Sequence, residues 1–306
     1  MKSTSMPEII SKMESGHSML LTFGKPGQKL KRGIAITGFI CRVLLFIIFN
    51  PFFMFRARFF PGAWRRRKAF AIRGARLFFP FNIRGHQVEQ SARGQVVAIN
   101  HPTLNDPLCA LLYILGVYPE REIILPVNLP WFEGICKYRS RLLKIGINIV
   151  PILTPSTALR LGGGDEVSKV QSGFMSNYVT EFTSTLSRGG LAVVAQQATR
   201  QRYLFASQAQ AETGEGILST ISLILLGIRR AKLLEQADFI PVGIIPHSTR
   251  AKPKLNLFRR YTLNVGEPIL ASHLAQVKNA AKRPADLYTL LKLKGLVPEV
   301  YHFENK

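Results

Sequence analysis

At 306 residues, of which 47% are hydrophobic, the chain is long enough to bury a large core and too apolar to be a disordered polyelectrolyte. Its 41 Lys and Arg against 18 Asp and Glu leave a net charge of +23, which points to an anionic partner, either an acidic membrane or nucleic acid. Three cysteines, Cys41, Cys109 and Cys136, have no metal-ligand spacing and are odd in number, which argues against a disulfide framework and suggests free thiols in a reducing compartment.

Residues 1–30 form a polar leader with scattered Gly, Ser and Lys, expected to be poorly ordered. Residues 31–80 combine apolar, aromatic and basic groups and are expected to form a membrane-associated helical segment. Between Met1 and Arg93 stand 17 basic and 3 acidic residues, so 17 − 3 = 14 of the 23 excess positive charges lie in the first third. Basic groups interleaved with Phe, Trp and Ile suit a bilayer interface, where cations meet lipid phosphates and rings enter the acyl boundary. A solvated nucleic-acid arm would carry fewer Phe, and no zinc-ligand or RNA-binding aromatic pattern accompanies the charge, so nucleic acid is not an expected partner. The apolar run from Gly33 to Phe55 contains Arg42 and is broken at Asn50-Pro51 before reaching the spanning length of about 20 residues. A bent helix embedded in one leaflet fits it better than a clean span, and a buried core helix is the plain alternative. The run starts after a long polar leader with no small-residue cleavage site behind it, unlike a secretory signal. The expected location is the cytoplasmic face of a membrane.

Residues 81–306 read as one α/β domain. Short β-branched runs at Gln95–Ile99, Glu122–Val127, Ile147–Leu153, Leu191–Ala195, Phe239–Ile245 and Tyr261–Val265 alternate with helical patterns. The helices are expected at Pro107–Leu115, Trp131–Leu143, Glu166–Leu186 and Gly216–Leu234. Such alternation implies a mixed, largely parallel central sheet flanked by helices. Leu161–Gly164 and the polar stretch Gln196–Gly216 are expected to be flexible loops.

The chemistry concentrates at Asn100-His101-Pro-Thr-Leu-Asn-Asp106-Pro107. The strand before it should end at Ile99 and the helix after it should start near Pro107, which puts His101 on the turn at a strand's carboxyl end, where open α/β sheets bind ligands. A hydroxyl is a poor nucleophile at neutral pH, and imidazole is the side chain best suited to accept its proton. A neighbouring carboxylate would orient the ring and support the imidazolium that develops, so His101 and Asp106 are candidate catalytic residues whose nucleophile comes from the substrate. Asp106 is also a natural helix cap before Pro107, and the two roles are compatible because a carboxylate has several lone-pair sites. Cys109, close behind, reads as a small buried hydrophobe.

The block Asn100-His101-(four residues)-Asp106, with Phe81-Asn-Ile-Arg-Gly85 and Val96-Val-Ala-Ile99 before it, resembles the first signature of the glycerolipid acyltransferase superfamily, the family of 1-acylglycerol-3-phosphate acyltransferases. Further blocks follow in the family's order. Leu129-Pro-Trp-Phe132 and Ile145-Gly-Ile-Asn-Ile149 resemble the second, Leu191 to Arg200 lies where the third should fall, and Ile240-Pro-Val-Gly-Ile244 resembles the fourth. Tyr261 to Pro268 is similar to the Gly-x-Pro strand end that closes many members. The resemblance implies transfer of a fatty acyl group from acyl-CoA or acyl carrier protein, as co-substrate, to a lysophospholipid or related lipid hydroxyl, with no bound cofactor or metal. It implies His101 as general base supported by Asp106, and Asn100, Gln197, Thr199, Arg200 and Gly243 as substrate-binding residues. Two blocks depart from the family pattern. Where the second normally ends in a phosphate-holding Arg, this chain has Val150-Pro151-Ile152, and Pro-Glu-Gly-Thr-Arg of the third is Gln196-Gln197-Ala198-Thr199-Arg200. Gln197 keeps the hydrogen-bonding shape of Glu without its charge. Arg139, Arg141 and Lys144 are nearby substitutes for the missing cation, or a solvated helix face. These departures leave a non-catalytic lipid-binding or regulatory member of the fold as the alternative, and they move the acceptor away from the family's usual one.

Overall fold

The computed structural model describes residues 81–304 apart from 87–90, 102–105, 145, 161, 163, 197–202, 218, 247–260 and 278–282. The expectations for 1–30 and 31–80 therefore lie outside the described residues, as do Gln197, Thr199 and Arg200. In chain order the elements are β1 (Phe81–Gly85), β2 (Gly94–Ile99), α1 (Asp106–Val117), β3 (Ile123–Asn128), α2 (Leu129–Ile135), a 3-10 turn (Cys136–Tyr138), α3 (Arg139–Lys144), β4 (Ile147–Ile152), α4 (Pro155–Arg160), α5 (Asp165–Ser187), β5 (Leu191–Ala195), α6 (Gln208–Thr213), α7 (Thr220–Arg230), β6 (Ala237–Pro246), β7 (Tyr261–Val265), β8 (Ile269–Leu270), α8 (Ala271–Gln276), α9 (Pro284–Lys294) and a closing 3-10 turn (Glu299–Tyr301). They fall into two compact units, a smaller one made of the described residues from Ile124 to Phe182 and a larger one made of those before and after it. No helix among the described residues is long and apolar enough to cross a membrane.

The larger unit is built on a mixed, largely parallel sheet in the order β1-β7-β6-β2-β5. β2 pairs in parallel with both β5 and β6, and β1 pairs in parallel with β7. β7 and the short β8 run antiparallel to different parts of β6. The sequence explains the centre. Every residue of β2, Gly-Gln-Val-Val-Ala-Ile, is buried, the pattern of a parallel strand covered on both faces. β6 is buried along nearly all of its length despite containing Pro241. Pro241 turns its carbonyl away from β2, where it accepts from the Gly266 N–H at 2.9 Å. β8 pairs β6 at Asp238–Phe239 and β7 pairs it at Val242–Pro246, so Pro241 sits in the interval between the two ladders and its missing N–H costs no rung.

Three helical expectations are revised. Trp131–Leu143 is not one helix: α2 gives way to the 3-10 turn before α3, within a stretch weakened by Gly134 and the β-branched Ile135. Gly216–Leu234 shortens to α7, because Gly216 has φ of +73° and belongs to a turn. Gln196–Gly216, read as a flexible loop, contains α6, whose Ser207 side chain accepts from the Gln210 N–H at 3.2 Å and whose end is closed by Gly214 in the left-handed region. In the smaller unit, Arg139 donates to the Ile149 carbonyl at 3.2 Å and lies 3.4 Å from Asn148 Oδ1, which ties α3 to β4. Asn128 Nδ2 donates to Thr157 Oγ1 at 2.9 Å, fixing the start of α4 against the end of β3.

At the amino ends of β2 and β6, charges replace the apolar filling. Arg93 reaches Asp238 Oδ1 at 3.4 Å. Arg121 donates to the Arg93 carbonyl at 3.0 Å and stacks 5.0 Å from the Tyr118 ring centroid. Burial holds the Asp238 carboxyl above its ordinary value, while Arg93 pulls it down. The folded protein therefore keeps this proton at a pH where the unfolded chain has released it, and stability falls as pH rises from the unfolded carboxyl value through the folded one. Replacing Arg93 by Met removes the opposing cation and should lower the melting temperature more at pH 7 than at pH 4; equal losses at both pH values would contradict this account.

Candidate active site at the carboxyl end of β2

β2 delivers its last residues to the carboxyl edge of the parallel strands. Asn100 is buried, and its side-chain amide bridges to β6 like an added rung: Nδ2 donates to the Ile244 carbonyl at 2.9 Å and Oδ1 accepts from the Ile244 N–H at 2.6 Å. The Asn carboxamide offers a donor and an acceptor in the spacing of a peptide group, and its short stem keeps them at the level of the strand, which is what the Ile244 backbone requires. His101 follows directly and is half-buried, so it emerges from a fixed point. α1 begins at Asp106, with Pro107 in its first turn, as expected for a helix start at this position. Behind it Cys109 and Ala110 are fully buried, and Cys109 is a free thiol packed as a small hydrophobe.

The beginning of the third sequence block meets the same edge. β5 ends at Ala195, level with Ile99, and the Gln196 N–H donates to the Ile99 carbonyl at 3.0 Å. The Gln196 side chain is buried and turns inward to Asp286, where Nε2 donates to the main-chain carbonyl at 3.3 Å and makes a longer contact of 3.4 Å with Oδ1. Its Oε1 has no hydrogen-bond partner among the described residues. Gly243, assigned to the fourth block, lies in β6 opposite Asn264. A Cβ there would stand 2.8 Å from the Leu296 Cβ and carbonyl oxygen, so glycine is required for the chain after α9 to pass. Asn264 Nδ2 donates to that same Leu296 carbonyl at 2.6 Å. The structure thus brings Asn100, His101, Gln196 and the segment around Gly243 to neighbouring strands, while the second block lies in the smaller unit.

Sequence reasoning passed over Asp286. It is fully buried in α9 and gathers donors from α7 and from Gln196 at the end of β5. The N–H groups of Ile221 at 2.6 Å and Ser222 at 3.1 Å, with the Ser222 hydroxyl, all donate to its carboxylate. Ser219 provides no side-chain cap for α7, so Asp286 caps that helix from a distance, satisfying first-turn N–H groups that would otherwise be orphaned. Burial raises the Asp286 carboxyl above its usual range, and the donated hydrogen bonds and the nearby Arg283 oppose that shift. The only sequence signal was a polar residue in the first turn of a helix, which looks like an ordinary local cap.

No family model matches the chain, and no curated protein matches it. Among the described residues no group of three His, Cys, Asp or Glu side chains is arranged to hold a metal ion.

Two substitutions test this scaffold by chemical denaturation. Asn100→Ala leaves a buried N–H and C=O unpaired and should cost about 3 kcal/mol. Asp286→Asn replaces one acceptor by an NH2 group facing backbone donors and should cost about 2 kcal/mol. A loss below half of either figure would mean that water or a rearranged side chain takes over these bonds.

Proposed function

We propose that the protein is an O-acyltransferase that moves a fatty acyl group from acyl-CoA or acyl carrier protein to the hydroxyl of a lysophospholipid or related lipid, at the cytoplasmic face of a membrane. One observation carries the reading: the His101 turn, the start of the third block and the fourth block converge at the carboxyl ends of β2, β5 and β6, where a parallel sheet binds its ligands. In this reading His101 takes the proton of the acceptor hydroxyl as its oxygen attacks the thioester carbonyl carbon. The tetrahedral intermediate collapses, the carbon–sulfur bond breaks, and the departing thiolate takes the proton back from the imidazolium. Asp106, at the head of α1, orients the ring and supports its transient charge. Arg200 and Thr199, with Gln197, hold the anionic part of a substrate, and residues 31–80 attach the protein to anionic lipid.

The test is transfer of labelled acyl groups from acyl-CoA or acyl carrier protein to a panel of lysolipids in liposomes, with products identified by mass spectrometry. His101→Ala should lower turnover by about a thousandfold and Asp106→Asn by about a hundredfold. Undiminished transfer in His101→Ala would refute the assignment. No transfer to any acceptor by the unaltered protein, with liposome binding retained, would favour the non-catalytic lipid-binding reading.

A further inference from the structure

Four ionisable side chains that the acyl-transfer reading leaves unused face a separate cleft of about 560 Å³ in the larger unit: His86 just past β1, Glu267 between β7 and β8, His273 on α8 and Lys292 on α9. Tyr288, one turn before Lys292, forms part of the wall, and the Lys292 ammonium lies 5.4 Å from its ring centroid. Pro241 forms part of the floor. The cleft exists because β7 and β8 pair with different parts of β6 and the chain between them, Gly266-Glu267-Pro268, crosses over Pro241. This crossing needs glycine, since a Cβ on Gly266 would come within 2.9 Å of the Pro241 ring. It also accounts for the Gly-x-Pro strand end that stood out in the sequence.

His86, Glu267, His273 and Lys292 are all exposed, and among the described residues none of their side chains has a hydrogen bond or ion pair. Single exposed charges are ordinary on a protein surface. Four that arrive from four elements at one concavity of ligand size are not. Lys292 and Glu267 carry opposite formal charges, and the two imidazoles bring further nitrogen groups to the lining. Three nitrogen-bearing groups supply only donors when charged, which matches the acceptor-only oxygens of a phosphate. The space exceeds a bare phosphate, and the Glu267 carboxylate is placed to accept from a hydroxyl or amino group beside it. We infer that this cleft binds a small organic phosphomonoester carrying a hydroxyl or amino group, held at its phosphate by His86, His273 and Lys292 and at its donor group by Glu267. Its four ionisable groups are not among those assigned to acyl transfer, although Pro241 of the fourth block forms part of the lining, and the inference does not depend on that activity.

Calorimetric titration of the full chain, in an uncharged maltoside detergent without phosphate, tests it with glycerol phosphate as the probe. Saturable binding is expected, weaker by about fivefold for inorganic phosphate and absent for glycerol. His273→Asn and Lys292→Gln should each weaken the glycerol phosphate affinity by about tenfold, the loss of one charge-assisted hydrogen bond, with unchanged thermal melts. His101→Ala should bind as the unaltered protein does. Competition by a short-chain lysophosphatidic acid below its micellar concentration would assign the phosphate to a lipid headgroup, and failure to compete would assign it to a soluble metabolite. The inference is overturned if no saturable binding occurs, or if binding is lost in Arg200→Ala and unchanged in His273→Asn and Lys292→Gln.

Discussion

The amide of Asn100 is the contact on which the candidate site depends. A strand normally loses its neighbours at the point where its last residue turns away, and the following turn inherits whatever freedom that loss creates. Here a side chain continues the pairing for one residue beyond Ile99, gripping both the donor and the acceptor of Ile244. His101 is thereby attached to β6 as firmly as to its own strand. Gln196 repeats the device on the other side through its main chain, which extends β5 onto the Ile99 carbonyl. The carboxyl edge of the sheet is thus closed by polar contacts while its body is held by apolar ones, and catalytic groups are best supported where backbone positions are over-determined.

A second constraint runs through β6. Three strands of the larger unit pair with it directly: β2 in parallel on one side, β7 and β8 antiparallel on the other. Proline is tolerated at 241 because the interval between β7 and β8 asks nothing of its nitrogen, and glycine is demanded at 243 because Leu296 passes directly over it. The same strand therefore shapes two places, the His101 edge through Ile244 and the cleft lined by His273 and Lys292 through Pro241.

What could be read in the sequence was whatever is local. Val96–Ile99 and Leu191–Ala195 announce themselves as strands because burial on two faces removes polar residues from the run, and Tyr261–Val265 does so by alternating apolar with polar residues. The helix start at Asp106-Pro107 is equally local, since proline tolerates only a few positions. β1 was not expected as a strand because Phe81-Asn-Ile-Arg84 alternates over only four residues, and residues 82–86 are exposed. The start of α7 was misplaced because the group that caps it, Asp286, lies 65 positions from Ile221, and the polar composition around α6 hid a short helix that caps itself. The engagement of Asn100 is of the same kind. Its identity as part of a motif was visible, but its partner is 144 positions away and is a backbone unit, which leaves no side-chain signature to find.

The buried carboxylate of Asp286 has a consequence for the order in which the molecule can be made. It joins β5, α7 and α9, and β2 likewise obtains its partner β6 only after more than a hundred intervening residues. Contacts so distant in the chain form late and slowly. In chain order the His101 turn precedes both the strand that steadies it and the carboxylate beside Gln196, so it is translated before either. The nascent chain thus carries His101 before its partners in the fold exist, and the polar contacts of Asn100 and Gln196 form only after β6 and α9 have been made.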